Sequence, residues 1–462
     1  MAKIEIENNV YCKFTGTKKE KQIIWDSLSY ESHIYTQKKD QYGRKLNFKN
    51  SLSFFNKKTG IFYTGFLKKI KIILKNNNIN FKVIPPQNKV KKKIKIANLS
   101  GITYRDYQLK IIKWALRNKR ANIDSKPRSG KTLILIGVIK SLLKDNKDRK
   151  FLILCHDKSI QTQNIQRFRE YFDSKNISVV ESGKDLSWLD SSIVFSSVQI
   201  MSKIDPVHYI DHFDGISVDE VHKLSESHEK ILTSCNAEYR IGMTGTIPND
   251  QYKRLRLIGL FGDIIEGLTN KELIDAEILA KPIILIKIAP SLAIDDRYQV
   301  VYERGIVNNL PRNEMIVEDV INRIEKNESG LVLTTKLQHG KNIQEIAKNV
   351  GFEIPFIHGG TSDDERERIK SALKNKDIKC VISNIWKEGV DLPSLNYVIV
   401  GFGEKAEERL LQSIMRCLNF HGSKKYGEII DYLDKGKYLG NHSLQRIETY
   451  IKQGWLGNGV DE

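Results

Sequence analysis

Short apolar runs that end in polar residues recur along most of this chain. "FLILCH" (151–156), "SIVFSS" (192–197), "GISVDE" (215–220) and "YRIGMTGT" (239–246) form a first series, with stretches suited to helices between them. "GLVLTT" (330–335), "EIPFIHG" (353–359), "KCVISN" (379–384) and "NYVIVG" (396–401) form a second. Continuous apolar strands alternating with helices are the pattern of a parallel sheet covered on both faces. Two consecutive series therefore predict two tandem α/β domains. In such sheets ligands sit at the carboxyl ends of the strands, where the polar residues of each run fall.

The first hundred residues follow another pattern. "LNFKNSLSFFNKKTGIFYTGFL" (46–67) is rich in apolar and aromatic positions, and its KTG reads as a hairpin turn between two strands. "FLKKIKIILKNNN" (66–78) reads as a helix and a turn, and "INFKVIPPQ" (79–87) as a strand stopped by Pro85 and Pro86. These elements make a small α+β module, followed by the lysine-rich connector "NKVKKKIKI" (88–96). At the other end, "KYGEIIDYLD" (425–434) reads as a strand and "NHSLQRIETYIKQGW" (441–455) as an amphipathic helix. The expected division is a basic domain over 1–97, a first α/β domain over 98–270 and a second over 271–462.

Charge sharpens that division. The 462 residues carry a net charge of +19, and residues 1–100 alone hold 22 Lys and Arg against six Asp and Glu. After Asp40 no acid occurs until Asp106. Codon bias would spread lysine evenly, so the asymmetry points to a polyanion-binding region. No run of about 18 apolar residues appears, and no membrane span is expected. The N-terminus "MAKIEIENNVYCKF" lacks a signal-peptide pattern, giving the expectation of a cytoplasmic protein. Five cysteines without a C-x-x-C pair read as buried thiols rather than a zinc site or disulfide framework.

The chemistry starts at "NIDSKPRSGKTLILIG" (122–137), a phosphate-loop pattern with Ser125 in place of its first glycine. "SGKT" passes into the apolar helix "TLILIGVIKSLLK", so backbone N–H groups and the helix dipole face a phosphate. Lys131 would reach the β and γ phosphates, and the Thr132 hydroxyl would ligate magnesium. About 90 residues on, "VDEVH" (218–222) ends an apolar run. There Asp219 can hold Mg2+ and Glu220 can orient or deprotonate an attacking water. A serine at position 125 is tolerable provided its backbone stays out of φ > 0 or accepts modest strain.

From about residue 101 to the C-terminus the chain resembles the superfamily-two helicases of DExH type, ATP-driven motors of two RecA-like domains. "YRDYQLKIIKWAL" (104–116) is similar to the segment in which a glutamine recognises adenine, which implies Gln108, flanked by Arg105 and Tyr107. "SKPRSGKT" resembles motif I, placing Ser125, Lys126, Pro127, Arg128, Ser129, Gly130, Lys131 and Thr132 around the nucleotide. "ILCHDKSIQTQNIQRF" resembles motif Ia, "VFSSVQI" motif Ib, "DEVH" motif II and "MTGT" motif III, with His222 coupling the last two. In the second domain "GLVLTTKLQHGKNI" resembles motif IV and "FIHGGTSDDERERI" the segment after it. "ISNIWKEGVDLPSLNYVI" resembles motif V, with Gly389 and Asp391 as its nucleotide-site positions. "LLQSIMRCLNF" resembles motif VI, but Met415 stands where the pattern has glycine and Asn419 where it has its last arginine. Gln412 and Arg416 keep their places, and Arg416 is the implied finger for the γ-phosphate.

Strand-end positions of the other motifs are implied to grip one nucleic-acid strand by its phosphates. They are His156, Lys158, Ser197, Gln199, Thr334, Thr335, His358, Gly359, Ser383 and Asn384, for each of which capping a turn is an equal use. Trp386 is either a base-stacking aromatic or a buried one. The closing strand and helix resemble the phage UvsW-type recombination helicases, which also carry a small basic module ahead of the motor. The resemblance thus implies ATP and Mg2+ as cofactors and a DNA helicase or translocase acting on branched DNA in branch migration. Phage recombination or replication proteins are the implied partners, and RNA unwinding or translocation without unwinding are the alternative activities.

Overall fold

The computed structural model describes residues 1–39, 45–86, 94–126, 129–156, 158–182, 185–290, 292, 296–385, 395–405, 414 and 426–456, with backbone alone at 32–39, 45–50 and 159. One compact unit comprises Met1–Lys126 and Gly130–Gly267, and a second begins at Leu268.

In the first unit β1 (Ala2–Ile6) pairs antiparallel with β2 (Tyr11–Thr15). Helix α1 (Lys18–Ser27) follows, closed at its start by a Thr17–Glu20 capping box. Then β3 (Ser29–Lys39) and β4 (Lys45–Ser53) form an antiparallel ribbon of their own. The chain returns as β5 (Ile61–Tyr63), α2 (Leu67–Asn76) and β6 (Phe81–Ile84), giving a four-stranded sheet in the order β5-β2-β1-β6.

The KTG turn exists, but it does not join two strands of one hairpin. Asn56 Oδ1 accepts the backbone N–H groups of Lys58 and Thr59, and the turn is spanned by the Phe55–Phe62 bridge and by backbone bonds from Asn56 N–H to the Ile61 carbonyl (3.0 Å) and from Gly60 N–H to the Asn56 carbonyl (2.7 Å). This side-chain-closed turn lets the chain leave the ribbon for the sheet, where β5 pairs with β2.

The α/β part continues with α3 (Asp106–Asn118), β7 (Arg120–Asp124), α4 (Lys131–Asp145), β8 (Phe151–Cys155) and α5 (Lys158–Arg169). Next come β9 (Ile177–Val180), β10 (Ile193–Ser197), α6 (Val198–Met201), β11 (Gly215–Asp219) and α7 (Glu226–Ser234). The first unit closes with β12 (Tyr239–Thr244), α8 (Gln251–Phe261) and β13 (Ile264–Glu266). Its seven strands run parallel in the order β13-β7-β12-β11-β8-β10-β9. Strand β7 escapes an apolar-run search because it holds Asn122, whose amide donates to the carbonyls of Leu257 (3.0 Å) and Gly262 (2.6 Å).

The basic module is packed into this unit rather than tethered to it. Leu255 of α8 belongs to the module's own core with Phe14, Phe66, Ile70 and Leu74. The Tyr63 hydroxyl donates to Glu229 Oε1 at 2.6 Å, and Asn9 donates two hydrogen bonds to Asn236, from its N–H to Oδ1 (2.9 Å) and from its Nδ2 to the carbonyl (2.7 Å). Closest of all is Gly65, where an added Cβ would meet the backbone carbonyls of Ile258 and Gly259. Neither carbonyl can swing aside without unwinding α8. Gly65→Ala is therefore expected to cost about 1–3 kcal/mol by forced overpacking. Limited proteolysis checks it: the variant should lose protection at the module's junction with α8 while the second unit's cleavage pattern stays the same.

The second unit contains α9 (Asn270–Asp275), β14 (Lys281–Ile288), α10 (Tyr298–Tyr302), α11 (Leu310–Glu325), β15 (Gly330–Leu333) and α12 (Leu337–Asn349). It ends with β16 (Phe356–Ile357), α13 (Asp363–Asn375), β17 (Cys380–Ser383), β18 (Tyr397–Val400), β19 (Tyr426–Leu433) and α14 (Lys437–Lys452). Six parallel strands lie in the order β14-β19-β18-β15-β17-β16. Helix α14 begins four residues before its apolar pattern does, because Gly436 (φ 95°) turns the chain directly into it and Leu439 adds a buried position. Both sheets thus have the parallel α/β architecture of RecA-like domains, preceded by a small α+β sheet.

Candidate active site

The carboxyl edge of the first large sheet gathers the motif I to III residues. Strand β7 ends at Asp124, and the Ser125 N–H donates to the Thr244 carbonyl at 2.9 Å, tying the loop to the end of β12. Ser125 is fully buried and is not among the positive-φ residues; the left-handed step falls on Gly130 (φ 83°). A serine is compatible here because the conformation that demands glycine lies five positions later. Lys126 Nζ faces inward, 3.5 Å from Asp124 Oδ1 and 3.1 Å from the Gly245 carbonyl. Ser129 is buried, while Pro127 and Arg128 lie outside the described residues.

Gly130 is the N-cap of α4 and makes no side-chain cap, and the helix's first turn holds no acid. The leading N–H groups of an uncapped helix are suited to an anion. Gln108 is buried beside them: its Oε1 accepts from the Arg105 N–H (3.0 Å), and its Nε2 lies 2.6 Å from where a Cβ on Gly130 would sit. Tyr107 is half-buried against the domain core, and Arg105 is exposed at the start of α3.

Four residues from three motifs converge on one carboxylate cluster. Lys131 Nζ lies 3.2 Å from Glu220 Oε1, and His222 Nδ1 lies 3.3 Å from Glu220 Oε2. The same His222 nitrogen is 2.8 Å from Thr244 Oγ1, which links motif II to motif III. Glu220 itself is a non-glycine residue at φ 52°, ψ 53°. That backbone costs on the order of 1–3 kcal/mol and persists only where the surroundings impose it. Its own N–H donates to Asp219 Oδ1 at 3.0 Å.

Burial, reinforced by the charge of Glu220, pushes the Asp219 carboxyl above its ordinary range. Burial acts on Glu220 in the same sense, but Lys131 and then His222 outweigh it and hold Glu220 below the ordinary carboxylate range. Glu220 is thus the firmly ionised acid of the pair. Thr132 Oγ1 donates to Asn164 Oδ1 at 3.2 Å, and the Asn164 amide near Asp219 weakly opposes the upward shift of that carboxyl. Asn164 was not among the sequence candidates, although a polar residue on the core-facing stripe of α5 was the available signal.

The strand-end candidates divide by use. In the first unit His156 is exposed with its ring stacked on His228 (6.3 Å), and Lys158 and Gln199 are exposed. Ser197 caps α6, its hydroxyl accepting the Ile200 N–H at 3.3 Å. In the second unit Ser383 accepts the Ile385 N–H, and the His358 N–H donates to Thr361 Oγ1, closing a turn over the exposed Gly359. Thr335 Oγ1 contacts the Tyr302 hydroxyl at 2.7 Å. Thr334 Oγ1 and Asn384 Oδ1, at the ends of β15 and β17, are buried without a hydrogen-bond partner among the described residues. Trp386, Gly389, Asp391, Gln412 and Arg416 lie outside the described residues.

Residues 101–249 match the family model of the type III restriction enzyme res subunit, and residues 313–421 match the helicase conserved C-terminal domain. The chain belongs to the superfamily-two helicases. This helicase is 25% identical over 377 residues to the ATP-dependent DNA helicase uvsW of Enterobacteria phage T4, covering 75% of each chain. Its fold is similar to that of the DUF1998 helicase MrfA bound to DNA (TM-score 0.58, 16% identity, 75% of this chain and 48% of that one). It is also similar to the Hef helicase domain of Pyrococcus furiosus (TM-score 0.52, 14% identity, 76% and 98% of the two chains). As a member of this family the protein is an ATP-dependent helicase.

Proposed function

We propose that this helicase acts on DNA, that its substrates are branched molecules such as forks, D-loops and four-way junctions, and that it drives branch migration in recombination or repair. The observation that carries the reading is the fusion of a basic module, packed through Gly65 and Tyr63, to the domain that holds the Lys131–Glu220–His222–Thr244 cluster. A module fixed to the motor keeps its grip on the adjacent duplex in constant register with the strand being moved. The T4 relative, a DNA helicase by name, supports DNA over RNA.

The donor set suits ATP with Mg2+. An uncapped helix start, one lysine and a paired aspartate and glutamate are what a phosphate chain with a bound divalent cation requires. Lys131 would hold the β and γ phosphates, with Thr132 and Asp219 holding Mg2+ and Gln108 the adenine. Once bound, the cation supplies charge neutralisation to the phosphates. Glu220, ionised and fixed by its own strained backbone, is placed to orient a water and receive its proton. His222 carries any displacement of Glu220 to Thr244 and the β12 end. In the second domain the unpartnered Thr334 Oγ1 and Asn384 Oδ1 are the polar atoms best suited to a strand contact.

The test is ATP turnover on a four-way junction, a fork, plain single-stranded DNA and structured RNA, with junction dissociation followed in parallel. The junction and fork should stimulate most, and stimulation should fall steeply with salt because each neutralised phosphate releases counterions. Equal or better stimulation by RNA would overturn the substrate reading.

A further inference from the structure

We infer that Asn164, on α5 and outside every nucleotide-site residue named above, is a positioning residue that sets the spacing between Thr132 and Asp219 so that both can hold one divalent cation. The inference rests on the proposed ATP site and deepens it.

Helix α5 buries Ile160, Gln161, Asn164, Ile165 and Phe168, so Asn164 occupies a stripe that otherwise faces the core. A buried amide without hydrogen bonds is costly, and this one is 9% exposed. Its two ends are used on different elements. Oδ1 accepts from Thr132 Oγ1 in the first turn of α4 at 3.2 Å, and the amide lies close enough to Asp219, at the end of β11, to favour its ionised form. Nδ2 lies 4.0 Å from Cys155 Sγ at the end of β8, a weak contact.

The chemistry of that bridge is directional. A hydroxyl that donates into Oδ1 turns its lone pairs outward, toward a cation. A carboxylate that sits beside the amide, with Oδ1 already accepting the Glu220 N–H, keeps its other oxygen for the same cation. An amide does this without adding charge, whereas a carboxylate at position 164 would crowd a third negative group against Asp219 and Glu220. Asn164 therefore orders the two ligands without touching the metal, as groups behind metal ligands do elsewhere.

The experiment measures binding of a fluorescent ADP analogue by anisotropy on the full chain, in excess EDTA and in Mg2+. For the unaltered protein Mg2+ should tighten binding. Asn164→Ala should keep the EDTA affinity and the melting temperature in EDTA, while losing about tenfold of the Mg2+-dependent gain. A double-mutant cycle with Thr132→Val adds an independent reading: the two losses in that gain should be strongly non-additive, because both remove the same hydrogen bond. A Mg2+-dependent gain equal to that of the unaltered protein would overturn the inference. A parallel fall of EDTA affinity and melting temperature with additive losses would also overturn it, assigning Asn164 to packing. No nucleotide binding by the unaltered protein would overturn the site assignment itself, and this inference with it.

Discussion

Lys131→Ala is expected to reduce DNA-stimulated ATP turnover by at least a factor of about 10²–10³, the usual cost of removing one preorganised charge from a reacting phosphoryl group. The amine does two jobs in this fold. Toward the phosphates it would be the only cation of the SGKT turn. Within the protein it lies 3.2 Å from Glu220 Oε1 and is the largest influence lowering that carboxyl. Removing it leaves Asp219 and Glu220 adjacent and buried with His222 as the remaining partner. Glu220 then loses its depressed folded-state pKa. A carboxyl held below its unfolded value stabilises the fold above that unfolded value, about 4.3, and the contribution disappears as pH falls through the folded value. The melting-temperature gap between the unaltered protein and Lys131→Ala should therefore be widest near pH 7 and narrow toward pH 3. Differential scanning calorimetry across that range measures it, beside an ATPase assay. Ordinary turnover by the variant would remove the site assignment.

Much of the motor was legible because its strands are buried on both faces and so read as unbroken apolar runs, and because its chemistry sits at their ends. What escaped was polar material placed in the core. Asn122 breaks the apolar signature of β7 because two carbonyls of the α8 region hold its amide. Asn164 looked like one more polar residue on a surface helix, and only the approach of α4 and β11 reveals its partners. The module's junction with α8 was equally invisible. Tyr63 and Gly65 are an aromatic and a turn residue by sequence, and Glu229 lies 166 positions away from Tyr63. Periodicity reports which face of an element is buried, but not what is buried against it.

The same limit hid the charges inside the second unit, and they carry the largest expected stability effect. Helix α14 reads as amphipathic, yet its buried face includes Arg446, only 1% exposed. Its guanidinium meets Asp431 through Nε (3.0 Å) and Nη2 (2.9 Å), and Nη1 donates to the Glu404 carbonyl at 3.1 Å. Asp431 also accepts from the Tyr450 hydroxyl at 2.6 Å. Nearby, Arg312, fully buried, pairs with Asp434 and donates to the Gly401 carbonyl at 2.6 Å. Two buried arginines thus hold the backbone just beyond β18, the stretch that leads toward Gln412 and Arg416. Arg446→Met removes one cation while leaving Asp431 buried and charged, and breaking such a pair costs about 3–5 kcal/mol. Adding Asp431→Asn to it removes the stranded charge, so the double variant should recover a large part of that loss. Hydrogen exchange over 426–452 reads the effect locally, without assuming that the two units unfold together. Protection there should fall in Arg446→Met and return in part in the double variant, while exchange in β7, β11 and β12 stays unchanged. If the single variant exchanged as slowly as the unaltered protein, the buried pair would not be what secures α14 to its sheet.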